Sequence, residues 1–152
     1  MTPGLRPGSV RLVGMSSRVP AHHAYQMYAH ITWHTYQRIG CVNQAGANDV
    51  RLAAARAGRR TGVQVLKGAV LADHVHLLVS FRPDTRLSDF VRVAKTVSAY
   101  LANERVPGAV RWARGYYAAT LGKRDLAHVA AYIAAQYNRH PDRIPAPSRK
   151  VY

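Results

Sequence analysis

The sequence predicts an α+β fold: an antiparallel sheet with helices on one face, in the ferredoxin-like or RRM-like arrangement. Two kinds of periodicity carry this expectation. Apolar residues alternate with polar ones over Tyr25–Thr35, as a half-buried strand requires, and a largely apolar run follows over Val63–Phe81, while apolar residues recur at three- and four-residue steps from Leu87 and from Leu126, as helices require. The order then reads strand, helix, two strands, helix, strand and a last helix. A length of 152 residues, 48% of them hydrophobic, suits one packed domain, expected over 24–140.

Each element has its own signal. Residues 1–23, rich in Pro, Gly and Arg, read as a mobile N-terminal extension, and Ser9–Met15 is too short and too charged for a signal peptide. In the first strand Met27, Ala29, Ile31 and Trp33 oppose Tyr28, His30, Thr32 and His34. His30 and His34 share a face, as structural or DNA-contacting residues. Asn48–Ala57 reads as an alanine-rich helix with Asp49 in its first turn, and Val63–Leu71 with His74–Phe81 as a hairpin turning at Ala72-Asp73. Leu87, Val91, Ala94, Val97 and Leu101 mark the next helix; Pro107-Gly108 breaks the chain, and Val110–Thr120 holds a further strand or two. In Asp125–Asn138 the residues Leu126, Val129, Ala130, Ile133 and Tyr137 form a buried helical face, ended by Pro141. Pro141, Pro145 and Pro147 make 141–152 an extended or mobile tail.

Chemistry concentrates in two places. His74 and His76, separated only by Val75, leave one face of a mostly apolar strand, where neutral imidazoles can ligate a divalent ion or be satisfied by backbone groups. Tyr132 and Gln136, four apart, share a stripe with His128 along the border of the apolar helix face. A boundary tyrosine, a solvated amide and a surface histidine read equally naturally there. Asp73 is a turn residue entering the strand, or a carboxylate orienting a ligand histidine. The chain has seven acids, Asp49, Asp73, Asp84, Asp89, Glu104, Asp125 and Asp142, too few for a two-metal carboxylate nuclease. Its single cysteine, Cys41, excludes an internal disulfide and a cysteine zinc cluster. No GxxxxGK[ST] loop is present, and no hydrophobic run reaches membrane length, so a cytoplasmic protein is expected.

Charge indicates the partner. Twenty-two Lys and Arg against those seven acids give +15, which draws the chain to polyanions, nucleic acid first. Arg86, Arg92 and Lys95 lie on the helix after the histidine strand; Arg111, Arg114, Lys123 and Arg124 precede the tyrosine helix, with Trp112, Tyr116 and Tyr117 among them. Cations that follow phosphates and rings that stack on bases suit unpaired strands. For Trp112, core packing is an equal reading.

In one order the chain carries Asp73-His74-Val75-His76-Leu77-Leu78-Val79-Ser80, the helix from Ser88 to Tyr100, Trp112-Ala113-Arg114-Gly115-Tyr116-Tyr117, Thr120-Leu121-Gly122 and Tyr132-Ile133-Ala134-Ala135-Gln136. From about Met27 to Asn138 this resembles the single-tyrosine HUH transposases of small bacterial insertion sequences and their relatives, the REP-associated tyrosine transposases. The resemblance implies an HUH endonuclease fold that cleaves and rejoins single-stranded DNA through a 5′-phosphotyrosine. It implies Tyr132 as the nucleophile, His74, His76 and Gln136 as metal ligands, and Mg²⁺ or Mn²⁺ as the ion. It further implies recognition of hairpin ends, and a homodimer in which one subunit's tyrosine helix can complete the other's site. The remaining alternatives are a domesticated REP-associated nuclease with the same chemistry, a replication or transfer initiator, and a non-catalytic RRM-like module that binds single strands.

Overall fold

In the computed structural model, which describes residues 26–148, four strands form one antiparallel sheet in the order β2-β3-β1-β4. They are β1 (Met27–His34), β2 (Val63–Val70), β3 (His74–Phe81) and β4 (Tyr117–Leu121). The histidine strand β3 is therefore interior, paired with β1 along its whole length so that Thr32 lies opposite His76 and His34 opposite His74. The expected α+β class and sheet type are those observed. The N-terminal extension expected over 1–23 lies outside the described residues.

Side-chain alternation sorts the sheet into two faces. Ala29, Ile31 and Trp33 of β1 and Val75, Leu77 and Val79 of β3 point one way, and there meet two long helices, α1 (Gln44–Thr61) and α2 (Leu87–Arg105), in the main core. Leu78 points the other way. With Ala69 and Leu71 it packs against Ile133 of α3 (Leu126–Ala134), in a smaller cluster bordered by Leu121, Val129 and Tyr137. The tyrosine helix thus lies across the face that α1 and α2 leave free, which is the face of the histidines.

Local chemistry sets the boundaries. α1 starts at Gln44, earlier than Asn48, because Asn43 caps it: the Asn43 side chain accepts from the Gly46 N–H at 2.9 Å. Gly46, a poor helix former, hides that start in the sequence. Asp49 is consequently inside the helix, where it is buried and paired with Arg105 at the end of α2 (3.0 Å, Nη1 to Oδ1) instead of serving as a first-turn acid. Gly62, at φ 80°, ends α1 in the left-handed conformation. Gly58 lies so close to the Val63 carbonyl that a Cβ there would collide with backbone. The β2–β3 hairpin forms as expected, with a register shift between Val65 and Lys67.

Val110–Thr120 contains one named strand, β4. Trp112 makes only an isolated bridge to Thr35. Lys95 explains the irregular stretch, since its ammonium donates to the Ala113 and Gly115 carbonyls at 2.7 and 2.9 Å. The expected single helix Asp125–Asn138 divides in two: α3 ends at Ala134, and α4 (Gln136–Arg139) follows after Ala135. Beyond a short turn at Pro141–Arg143, the described chain to Ser148 is tied down by hydrogen bonds. Ala72 N–H donates to Arg143 O, Gln44 N–H to Ala146 O, and Ala45 N–H to Ser148 Oγ. Among the described residues, no helix is long and apolar enough to cross a membrane.

Candidate active site and nucleic-acid interface

Strand register and one helix bring the four site residues together. His74 and His76 have ring centroids 5.0 Å apart, and the Tyr132 ring stands edge-on to His76 at 5.9 Å. Tyr132 is partly exposed, so its hydroxyl is open to a large substrate, whereas Gln136, one turn on, is 1% exposed. Gln136 is therefore inside the protein, where a solvated amide is ruled out. Its Nε2 donates to the Tyr132 carbonyl at 3.3 Å, and its side chain also hydrogen-bonds His76. All four residues meet within a single subunit.

Neighbours that the sequence pattern left undefined complete the cluster. Asp73 is buried and holds His74 Nδ1 at 2.7 Å; it sits in the bend before β3, so strand alternation does not turn its carboxylate away. Arg143 approaches the other Asp73 oxygen at 3.3 Å. His30 Nε2 lies 2.9 Å from His76 Nδ1, and Thr32 Oγ1 lies 3.2 Å from the same nitrogen. His140 sets its ring edge against His74 at 5.4 Å. Its position four residues after Gln136 is the sequence signal that could have found it. His34 instead turns to the Thr35 carbonyl at 3.0 Å, and His128 is exposed.

Burial, followed by the nearby imidazoles of His74, His30 and His140, pushes the His76 pKa down to about 3, with the Gln136 hydrogen bond opposing. Burial also lowers His30. His76 is thus a neutral imidazole with a lone pair at ordinary pH. The Asp73 carboxylate fixes the proton of His74 on Nδ1, leaving its Nε2 as a donor atom for an ion. Among the described residues no three His, Cys, Asp or Glu side chains converge as a metal cage. Two imidazoles and an amide oxygen form a smaller, neutral set, and its atoms fit a divalent ion that keeps open positions for water and substrate.

The basic and aromatic residues divide by what they touch. Lys95 has its ammonium on the two loop carbonyls, and burial lowers its pKa. Trp112 packs edge-on to Trp33 at 6.0 Å and donates its Nε1–H to Ser98 Oγ at 3.1 Å. Of the two readings for Trp112, core packing is what the structure displays. Arg86 and Arg92 flank Asp89 at 3.8 Å each on the exposed side of α2. Arg111 stacks on the Tyr36 ring at 3.7 Å. Arg114, Lys123, Arg124 and Tyr116 are exposed, as is Tyr117.

The chain is similar to known proteins in sequence and in fold. Residues 23–136 match the family model described as Transposase IS200 like. The ISDra2 transposase TnpA of Deinococcus radiodurans is 27% identical over 124 residues, covering 77% of this chain and 89% of that one. The IS200 transposase of Salmonella typhimurium is 32% identical over 82 residues, 49% of this chain and 53% of that protein. In fold, the chain is similar to the REP-associated tyrosine transposase bound to a REP hairpin, with a TM-score of 0.64 at 16% identity over 82% of this chain and 74% of that one. A crystal structure from Deinococcus radiodurans gives a TM-score of 0.60 at 23% identity, over 78% and 97% of the two chains. A family match across most of the length, on a sheet that gathers the histidines and the tyrosine, makes this chain a member of the IS200-like transposase family, a DNA transposase.

Proposed function

We propose that this transposase cleaves and rejoins single-stranded DNA at hairpin-bearing ends of an insertion sequence, through a 5′-phosphotyrosine on Tyr132 and with a divalent metal ion. The observation that carries this reading is the partly exposed Tyr132 ring 5.9 Å from a His76 held neutral, with the buried Gln136 one helical turn away. A solved relative by fold carries a REP hairpin, which supports hairpin recognition here.

The residues divide the work. The Tyr132 phenol attacks the phosphorus; its oxygen forms the new P–O bond and its proton passes to solvent, while the DNA 3′ oxygen leaves and is protonated. An unperturbed phenol has a pKa of about 10 and is a weak nucleophile at neutral pH, so placement and charge neutralisation must supply the rate. His74, His76 and Gln136 would hold Mg²⁺ or Mn²⁺, which offsets phosphate charge and orients the scissile group. Asp73 fixes the His74 ring, and His30 and Thr32 fix His76. The freed 3′ hydroxyl, or that of another end, later attacks the phosphotyrosine and restores a phosphodiester without a nucleotide cofactor. Tyr132 already meets imidazoles of its own subunit, so in the homodimer and the cytoplasmic setting that the family resemblance implies, each subunit would carry a full site.

The test is adduct formation. Labelled single-stranded hairpins with unpaired flanks, incubated with Mn²⁺, should give a denaturation-resistant protein–DNA species. Tyr132→Phe should abolish it while DNA binding persists, and His76→Ala should abolish it by losing the metal. An undiminished adduct in Tyr132→Phe would assign the nucleophile to another tyrosine.

A further inference from the structure

Beside the histidines the same sheet face opens into a cleft of about 460 Å³, lined by Thr32, His34, Arg38, Arg114, Tyr116 and Tyr117. Register fixes its position relative to the chemistry. Tyr117 is the β4 partner of Thr32, and Thr32 is the β1 partner of His76. Directly opposed residues share a sheet face, and the Thr32 hydroxyl at 3.2 Å from His76 Nδ1 identifies that face. Tyr117 therefore stands two strands from His76, roughly 10 Å away at about 4.8 Å per strand step.

The walls are held before any ligand arrives. Tyr36 N–H donates to Arg111 O at 2.9 Å and Ala113 N–H to His34 O at 2.9 Å, stitching the turn after β1 to the segment before β4. Arg111 stacked on Tyr36 and Lys95 clamped on Ala113 and Gly115 reinforce this join. Gln37 and Arg38 have φ of 54° and 55°, a left-handed pair that non-glycine residues rarely adopt. That strained turn sets Arg38 on the cleft that Arg114 also lines. Tyr117 is 61% and Tyr116 42% exposed, which leaves both rings available at the rim.

Cations that no acid neutralises among the described residues, rings at the mouth and a prebuilt concavity on the nucleophile's face suit one occupant: an unpaired nucleotide. Arg38 and Arg114 match phosphates, and a tyrosine face accepts any base. A duplex, whose bases are stacked and paired, could not use the rings. On the reading that Tyr132 attacks DNA at this face, we infer that the cleft seats the unpaired DNA adjoining the scissile phosphate, with bases against Tyr116 and Tyr117 and phosphates on Arg38 and Arg114. The cleft, and not the Lys95–Trp112 region behind it, is then the subsite that orients the strand for attack.

The test measures binding apart from chemistry. The full chain carrying Tyr132→Phe, in EDTA, is titrated with a fluorescent unpaired 12-nucleotide dT probe, and with a blunt hairpin duplex for comparison. Adding Arg38→Gly, which the left-handed backbone tolerates, together with Arg114→Ala should weaken dT binding about tenfold or more. The same pair should flatten its log–log salt slope by about 1.4, two single-strand phosphates' worth, and leave the duplex within twofold. Tyr117→Ala should weaken dT binding about fivefold or more and Tyr117→Phe much less. Photocrosslinks from 5-iodo-deoxyuridine in the probe should map to Tyr116 or Tyr117. Unchanged dT affinity in the double variant, an equal loss for duplex, or crosslinks confined to other surfaces would overturn the assignment. Because no step needs metal or cleavage, failure of the covalent mechanism would appear separately, as absence of the Tyr132 adduct in the otherwise unmodified protein.

Discussion

The two faces of β3 belong to the same eight residues and are organised by different physics. On one, Val75, Leu77 and Val79 enter an aliphatic core against α1 and α2, where shape and volume decide what fits. On the other, His74 and His76 are also buried but are held by Asp73, His30, Thr32 and Gln136 through directional bonds. The core face can exchange one aliphatic group for another at modest cost; the histidine face cannot exchange a donor for an acceptor. On the proposed mechanism, the aliphatic side of the strand carries most of the packing and the histidine side the chemistry.

Substitutions can separate the sides. Leu77→Ala, buried between the two histidine-face neighbours His76 and Leu78, should lose about 2–5 kcal/mol in urea unfolding, while the folded fraction still forms the DNA adduct. An adduct that fell faster than the folded fraction would break the division. Asp73→Ala should act the other way, weakening Mn²⁺ binding about 10- to 100-fold by electron paramagnetic resonance titration, because His74 loses the group that fixes its tautomer. Mn²⁺ affinity within twofold of the parent would remove Asp73 from the site. Asn43→Ala touches neither face and should cost only about 1 kcal/mol through the lost cap on α1, with no change in Mn²⁺ affinity.

What was legible in the sequence follows the same division. His74 with His76 and Tyr132 with Gln136 are readable because strand and helix periods alone put each pair on one side. The partners of those residues are not readable that way. His30 reaches His76 only through the β1–β3 offset, and Asp73 reaches His74 only because the bend frees it from strand alternation. Gln136 lies on the border of the apolar helix face, where period alone leaves a solvated amide open, yet α3 ends at Ala134 and α4 begins at Gln136, whose amide is buried. Among other cations and rings, Lys95 reads as a DNA ligand, and Trp112 as a base-stacking ring no more than as a core residue. Their real partners, two loop carbonyls and the Ser98 hydroxyl, come from a loop whose course no local pattern encodes.

The bonds from Arg143, Ala146 and Ser148 reach both the bend that feeds β3 and the first turn of α1. A subunit that lent its tyrosine helix to a neighbour would have to unfasten all of them and refasten them elsewhere. Such trading would be slow in the finished protein and easiest while chains are still folding at high concentration.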